Sequence, residues 1–287
     1  MPFYIYAWIS LFATAFTVVI TKFTSKHSIK NPWLFNFVLT LITLLFTSPV
    51  ALINHAGIPS DWPPVIAAGV FFGLFYLFYI FANYKLDASA ITPLFNFKTI
   101  FTVLLGSLFL QEKLSSSQSL FFLLIVGAGM FSNIDEKMKL SSFFKPGIGI
   151  ALLGMMSLAL NSVFIKLAMV KNDLPTVTLW IMIVNMVVIL PTFLFFKKDL
   201  KSLKASQIYP VLVLCIFQVI YNFTANIAYG VNIGITSIII SLPLSMVVIF
   251  VLSIFKPNLL EKHTLKVYAI RFASAAIMIW GALQLSR

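Results

Sequence analysis

The sequence predicts an all-α membrane protein whose ten transmembrane helices form two inverted five-helix repeats. Three observations lead to this prediction: an apolar composition, regularly spaced apolar runs, and short blocks of sequence that occur twice in the same order. Of the 287 residues, 60% are hydrophobic and only 10% are charged, and the mean hydropathy is +1.01. Soluble domains typically hold about 25% charged residues, so the composition excludes a soluble globular fold.

Ten apolar runs follow one another along the chain, most of them long enough to cross a hydrocarbon core of about 30 Å. We number these predicted spans 1 to 10, at residues 3–21, 33–53, 64–84, 90–110, 117–132, 147–168, 176–196, 208–229, 234–255 and 265–284. Only "YKLDASA" (84–90) separates spans 3 and 4, but a single helix over both would run from 64 to 110 without a break. Ten spans are therefore favoured over nine.

Three blocks of sequence occur in both halves of the chain. "VVITK" (18–22) pairs with "VFIKL" (163–167), "FANYKLDASAIT" (81–92) with "TANIAYGVNIGIT" (224–236), and "QEKLS" (111–115) with "LEKHT" (260–264). We therefore divide the chain into a first repeat (1–134), a linker (135–146) and a second repeat (147–287). Because each copy has an odd number of spans, the second must be inverted in the membrane, which is the usual arrangement of secondary transporters.

The basic residues predict the orientation in the membrane. Fifteen lie in or beside the loops that follow odd-numbered spans, and four lie on the other side, so the positive-inside rule places the odd-numbered loops in the cytoplasm and both termini outside. The net charge of +12 therefore reflects topology and does not indicate a nucleic-acid partner. The expected partners are the lipid bilayer and a small-molecule solute, and the sequence leaves the oligomeric state open.

Residues that commonly carry enzyme chemistry are scattered. Cys215 is the only cysteine, and His27, His55 and His263 lie in separate loops, which excludes an intrachain disulfide and argues against a Cys/His metal site. All eight acidic residues lie in loops or at span ends. We therefore expect no catalytic site, no metal and no cofactor, and we do not expect carboxylate-based exchange of cationic drugs for protons.

One charge interrupts an apolar run. Lys98, within "TPLFNFKTIFTVLL" (92–105), lies about ten residues from either end of predicted span 4, where a lysine costs about 2.5–3.5 kcal/mol to insert. The interpretation that we prefer is a lysine that faces a central cavity and binds a carboxylate or phosphate of the substrate. The alternatives are a lysine capped by carbonyls and hydroxyls, such as that of Thr102, and an uncharged lysine.

Polar side chains within the spans are the other candidates for binding a solute. Gln218, Tyr221 and Asn222 share one face of span 8 with Asn226 and Tyr229. Such residues can instead hydrogen-bond neighbouring helices, at about 0.6 kcal/mol each. The predicted substrate-binding residues are Tyr79, Asn96, Lys98, Thr102, Asn161, Gln218, Tyr221, Asn222 and Ser241.

Two further features concern the spans themselves. Lys22, Lys166 and Arg271, near span ends, are expected to extend their charged groups to the membrane interface. Pro243, between Ser241 and Ser245, is the predicted position of a helix bend that moves during transport.

The repeated blocks also carry a family resemblance. "NSVFIKL" (161–167), "ANYKLDASAIT" (82–92) and the pairs Glu112-Lys113 and Glu261-Lys262 resemble the EamA-type carriers of the drug/metabolite transporter superfamily. The sequence departs from the family pattern at Thr99, where a proline is usual. The resemblance implies a ten-helix, two-repeat carrier of small metabolites, often an exporter, in a bacterial inner (cell) membrane. Most family members have cytoplasmic termini, opposite to the orientation that the lysines predict.

The sequence therefore predicts a secondary transporter that works by alternating access. Lys98 and the absence of acidic residues from the span interiors favour an anionic or zwitterionic solute, such as an amino acid, an organic acid or a phosphorylated metabolite. A neutral or aromatic solute or drug is the alternative, because 30 of the residues are phenylalanine. A channel or a non-transporting membrane scaffold is the alternative of another class.

Overall fold

A computed structural model describes residues 1–86, 94–131, 146–255 and 265–285, which form helices joined by short turns, without a strand in these ranges. The helices of the first half are α1 (Phe3–His27), α2 (Pro32–Ile53), α3 (Trp62–Lys85), α4 (Leu94–Phe109) and α5 (Ser116–Phe131). Those of the second half are α6 (Pro146–Ala168), α7 (Leu174–Ile189), α8 (Lys197–Leu200), α9 (Ala205–Val231), α10 (Ile233–Ile240), α11 (Leu244–Phe255) and α12 (Leu265–Leu285). A 3-10 helix at Leu190–Phe195 follows α7.

The lengths and compositions are those of membrane-spanning helices. Seven helical segments of the described residues are long and apolar enough to cross a membrane, and three further apolar helices are shorter. The segment at Leu174–Phe195 combines α7 with the 3-10 helix, and the segment at Ile233–Leu252 runs from α10 into α11. The all-helical membrane architecture is confirmed, while the ten-span, two-repeat arrangement stays a prediction.

Several helices begin at the same kind of cap. The Asn31 side chain accepts hydrogen bonds from the backbone N–H groups of Trp33 and Leu34, at 2.9 and 3.4 Å, where α2 begins. The Asp173 carboxylate accepts one from Thr176 N at 2.8 Å where α7 begins. A proline follows each cap within the first turn, a position that needs no backbone donor. These caps and prolines determine the residues at which α2 and α7 begin.

The two halves of the chain pack against each other in a regular pattern. Helix α1 packs on α9, while α6 packs on α3; likewise α2 contacts α9, while α7 contacts α3. Helix α4 contacts α6, and α1 contacts both α10 and α11. In addition, α5 packs on α12 and α4 on α10. Each half therefore completes its core with helices of the other half.

Two glycines allow α3 and α7 to approach closely. A Cβ atom added to Gly69 would lie 2.5 Å from Val184 Cβ, and one added to Gly73 would lie 2.8 Å from Val188 Cγ1. Because the glycines are four residues apart, they form one flat strip on α3, as is common where membrane helices cross. The wall that α3 contributes to the centre of the molecule depends on this contact.

Two sequence expectations about span 4 and span 9 concern the site directly. Helix α4 is described from Leu94 onwards, so Lys98 lies in the second turn of the described helix, and residues 87–93 lie outside the described residues. Span 9 is interrupted at 241–243, between α10 and α11, where Pro243 provides no backbone donor. The predicted bend is therefore present, and α10 is a separate eight-residue segment.

Candidate functional site

A central cavity lies between the two halves of the molecule. Together with the open space at its mouth it measures about 600 Å³, and it is lined by residues of α1, α2, α3 and α4 from the first half and of α6, α9 and α10 from the second. Five predicted binding residues reach its wall: Tyr79, Lys98, Gln218, Tyr221 and Ser241. Apolar and aromatic side chains with a few polar groups among them are typical of small-molecule sites.

Lys98 is the charged group of the cavity wall. Its side chain is only 2% exposed. The ammonium donates hydrogen bonds of 2.7 Å to Tyr229 Oη and of 2.7 Å to Ser237 Oγ. An ammonium has three N–H donors, and these two hydroxyls are its hydrogen-bond acceptors among the described residues.

The positions of Lys98 and Ser237 are fixed by contacts between α4 and α10. Thr99 Oγ1 donates a hydrogen bond of 3.3 Å to the backbone carbonyl of Ser237. Thr102 Oγ1 donates to the backbone carbonyl of Lys98 at 2.9 Å. The alternative in which hydroxyls cap Lys98 is thus met, but by residues other than Thr102. The hydroxyls that cap the ammonium belong to Tyr229 and Ser237.

One side of the cavity is aromatic. The rings of Phe75 and Tyr79 are stacked with centroids 5.2 Å apart, and Tyr79 meets Phe95 edge to face at 5.9 Å. The Tyr76 ring lies 5.3 Å from that of Phe75. Phe95 is one turn before Lys98 on α4, so an apolar or aromatic body and an anionic group could be bound side by side.

A second, smaller cavity of about 280 Å³ lies behind Tyr221, whose ring borders both spaces. The predicted residues Asn161 and Asn222 line this second cavity. Asn161 Nδ2 donates to the Ala68 carbonyl of α3 at 2.9 Å, and Asn222 Nδ2 donates to Met182 Sδ of α7 at 3.4 Å. These amides hold helices together, and neither lines the central cavity.

Asn96 lies on another face of α4. A Cβ atom added to Gly129 of α5 would lie 2.8 Å from Asn96 Cγ, so the Asn96 side chain packs against α5. Neither Asn96 nor Thr102 lines the two cavities described above. Asn96 and Thr102 were predicted to line the cavity, but they lie on faces of α4 that point away from it.

Sequence reasoning missed the polar wall that α1 provides. Thr14, Thr17 and Thr21 line the cavity, and their spacing of three and four residues places them on one helix face. That spacing was visible in the sequence. Ser237 carried no comparable signal, because an isolated serine in an apolar helix is common.

The lysines at span ends bind protein groups. Lys166 pairs with Glu112 and donates to the Val231 carbonyl at 2.7 Å. Lys22 donates to the carbonyls of Asn83 and Leu86, at 3.2 and 3.0 Å. These acceptors lie at helix ends, so the extension of Lys22 and Lys166 to the interface stays a prediction. The Arg271 side chain is not among those that the structure describes.

Comparison with known proteins adds a family and a fold. The model of the EamA-like transporter family matches residues 1–134. A solved structure, titled only as the crystal structure of a protein, aligns with a TM-score of 0.72 at 15% identity, over 97% of this chain and 94% of that one. This likeness shows a shared fold. The comparison with curated proteins gives no match. The first 134 residues are thus similar to the EamA-like transporter family of the drug/metabolite transporter superfamily.

Proposed function

We propose that the protein is a secondary carrier that moves a small anionic or zwitterionic metabolite by alternating access, with Lys98 as the residue that binds its carboxylate or phosphate. The observation that carries the proposal is the Lys98 ammonium in the cavity wall, 2% exposed and hydrogen-bonded to the hydroxyls of Tyr229 and Ser237. A buried charge with neutral partners is stabilised further when an opposite charge binds beside it.

The proposed carrier has ten spans in two inverted repeats, 1–134 and 147–287. The exchange of packing partners between the halves supports this arrangement, since α1 on α9 and α6 on α3 are equivalent contacts under a two-fold relation. A cavity between the halves agrees with a substrate site where two inverted repeats meet. The proposed location is a bacterial inner (cell) membrane with both termini outside, and export is the direction that the family most often serves.

A neutral or aromatic solute is the second candidate. The stacked pair Phe75 and Tyr79, with Phe95 against it, favours this candidate because such a wall binds a planar ring without any charge. An aromatic anion would use both features of the cavity. Ligands that lack the carboxylate or phosphate separate the two candidates. If Lys98 binds the anionic group, removing that group abolishes binding. If the aromatic wall binds a neutral ring, removing that group has no effect.

Uptake into proteoliposomes tests the proposed transport. We expect saturable uptake of at least one small carboxylate or phosphate, and loss of that uptake in K98M. K171M is the matched control, because the Lys171 side chain is 66% exposed and lies away from the cavity. Uptake that rises linearly with concentration would indicate a channel, and absence of uptake across the panel would indicate a non-transporting scaffold.

A further inference from the structure

Glu112 joins the two halves of the chain at the end of α4. Its Oε1 accepts a hydrogen bond from the ammonium of Lys166. Its Oε2 accepts from the backbone N–H groups of Ile233, at 3.0 Å, and of Gly234, at 3.4 Å. The side chain is 13% exposed and that of Lys166 is 24% exposed. Both carboxylate oxygens of Glu112 are thus engaged by residues of the second half.

The turn after α4 places Glu112 in this position. Gln111 has a φ of 56°, in the left-handed region, and Glu112 N donates to the Gly106 carbonyl at 3.1 Å. A Cβ atom added to Gly106 would lie 3.1 Å from Ile233 Cδ1, so α4 and the start of α10 are already close. The reversal at Gln111 brings the carboxylate over the first residues of α10.

The contacts of Glu112 are of a kind that fixes a helix. Ile233 and Gly234 are the first two residues of α10, and a carboxylate there is stabilised by free N–H groups and by the helix dipole. Hydrogen bonds between charged groups are about twice as strong as neutral ones. The carboxylate and the Lys166 ammonium therefore act together on one end of α10.

The second turn of α10 lines the cavity. Ser237 follows Ile233 by four residues, or about 6 Å along the helix axis, and its hydroxyl accepts from Lys98. Helix α10 is separated from α9 at Asn232 and from α11 at 241–243. An eight-residue segment with breaks at both ends can shift as a rigid unit, so a change at Ile233 is transmitted to Ser237.

We propose that Glu112 and Lys166 form a latch that holds α10 in place and, through Ser237, positions the Lys98 ammonium. The latch keeps the cavity closed toward the side of the membrane on which Glu112 lies, which we call the Glu112 face. An anion that replaces Ser237 Oγ as a partner of Lys98 loosens α10 and favours release of the latch. This inference rests on the proposed function, because it assigns a coupling step to the same site.

The chain supplies a matched control on the same face. Asp61 and Lys171 also form an ion pair between the halves, at 3.5 Å, with side chains 28% and 66% exposed. Neither residue contacts α10 through a hydrogen bond that the structure describes. D61N therefore removes a charge between the halves without touching the proposed latch.

Side-specific labelling of a cavity thiol tests the latch. In a C215A background, which removes the only native cysteine, T14C places a thiol in the cavity wall. Sealed vesicles of each orientation are treated with a membrane-impermeant maleimide, and S117C, in the exposed first turn of α5, identifies the Glu112 face. We expect E112Q and K166Q each to raise the rate of T14C labelling from the Glu112 face roughly 10-fold, while D61N leaves it unchanged.

Two further readouts separate a latch from general loosening. A latch variant raises labelling from the Glu112 face alone, whereas a destabilised fold raises it from both faces. A saturating anionic metabolite is expected to raise labelling in the parent and to add little in E112Q. Equal labelling of E112Q, K166Q and D61N would overturn the latch. Anion binding that depends on Lys98, measured on the same preparations, tests the proposed function independently of the latch.

Discussion

Lys98 shows how a buried cation can be tolerated without a carboxylate. Inserting a lysine in mid-membrane costs about 2.5–3.5 kcal/mol, and a hydrogen bond to a charged group contributes about 1.5–3 kcal/mol. The hydroxyls of Tyr229 and Ser237, both at 2.7 Å, are therefore sufficient to offset that cost. Lys98 can therefore remain buried in the empty carrier.

Replacing Ser237 tests this balance. S237A removes one acceptor of the ammonium, so we expect the free energy of unfolding of the ligand-free protein to fall by about 1–3 kcal/mol. An anionic ligand no longer has to displace the hydroxyl, so a saturating anion is expected to raise the melting temperature more in S237A than in the parent. Thermal unfolding of the purified proteins measures both effects. A smaller rise in S237A would contradict the competition between anion and hydroxyl.

The sequence was informative for residues that stand out from an apolar run. Tyr79, Lys98, Gln218 and Tyr221 were predicted from their polarity and lie at the cavity. Asn96 was misplaced because its side chain packs against Gly129 of α5, a contact that the polarity of the residue does not reveal. The faces of a helix surrounded by others depend on its neighbours, which the sequence of that helix alone does not specify.

At the scale of elements, the contact between α3 and α7 positions the aromatic wall. G69A places a methyl group where Val184 already lies, 2.5 Å from its Cβ. We expect the free energy of unfolding to fall by about 1–3 kcal/mol because the two helices must move apart. Thermal unfolding in detergent provides the measurement.

Gly149 of α6 is the control for this substitution. A Cβ atom added there meets nothing within 4 Å, so G149A should leave the stability unchanged or raise it slightly through better helix propensity. If G69A were as stable as G149A, the close packing of α3 on α7 would not be required.

The breaks within helices were predictable where a residue forces them. Pro243 marked the interruption between α10 and α11, because proline removes a backbone donor. The separation of α9 from α10 at Asn232 lies in the gap that was predicted between spans 8 and 9, and the Asn232 side chain caps α10 by accepting from Ile235 N at 2.8 Å. A single asparagine in an apolar sequence is compatible with either a cap or a contact between helices.

At the scale of the whole molecule, the lysines predict the orientation in the membrane. Four exposed lysines lie between the 3-10 helix and α9: Lys197, Lys198, Lys201 and Lys204. We expect a reporter fused within 197–204 to be cytoplasmic and one fused at Ser117 to be external. The opposite result at both positions would reverse the predicted orientation and agree with the one usual in the family.

The pairing of the two halves could be anticipated only in outline. Repeated blocks indicated two related units, but the exchange in which α1 packs on α9 and α6 on α3 is a property of the assembled bundle. Apolar helices associate through shape and polar contacts rather than through burial from water, so hydropathy does not specify partners. This is why the cavity and its lining became evident only in the structure.

Titration of purified protein with small carboxylates and phosphates, by isothermal calorimetry, tests most directly whether Lys98 binds the substrate. We expect the parent to bind at least one such anion saturably. The same anion should bind K98M roughly 10- to 100-fold more weakly, the equivalent of one charge-assisted hydrogen bond, while K98M unfolds at no lower temperature than the parent. Unchanged anion affinity in K98M, or a parent that binds only cations, would contradict the assignment.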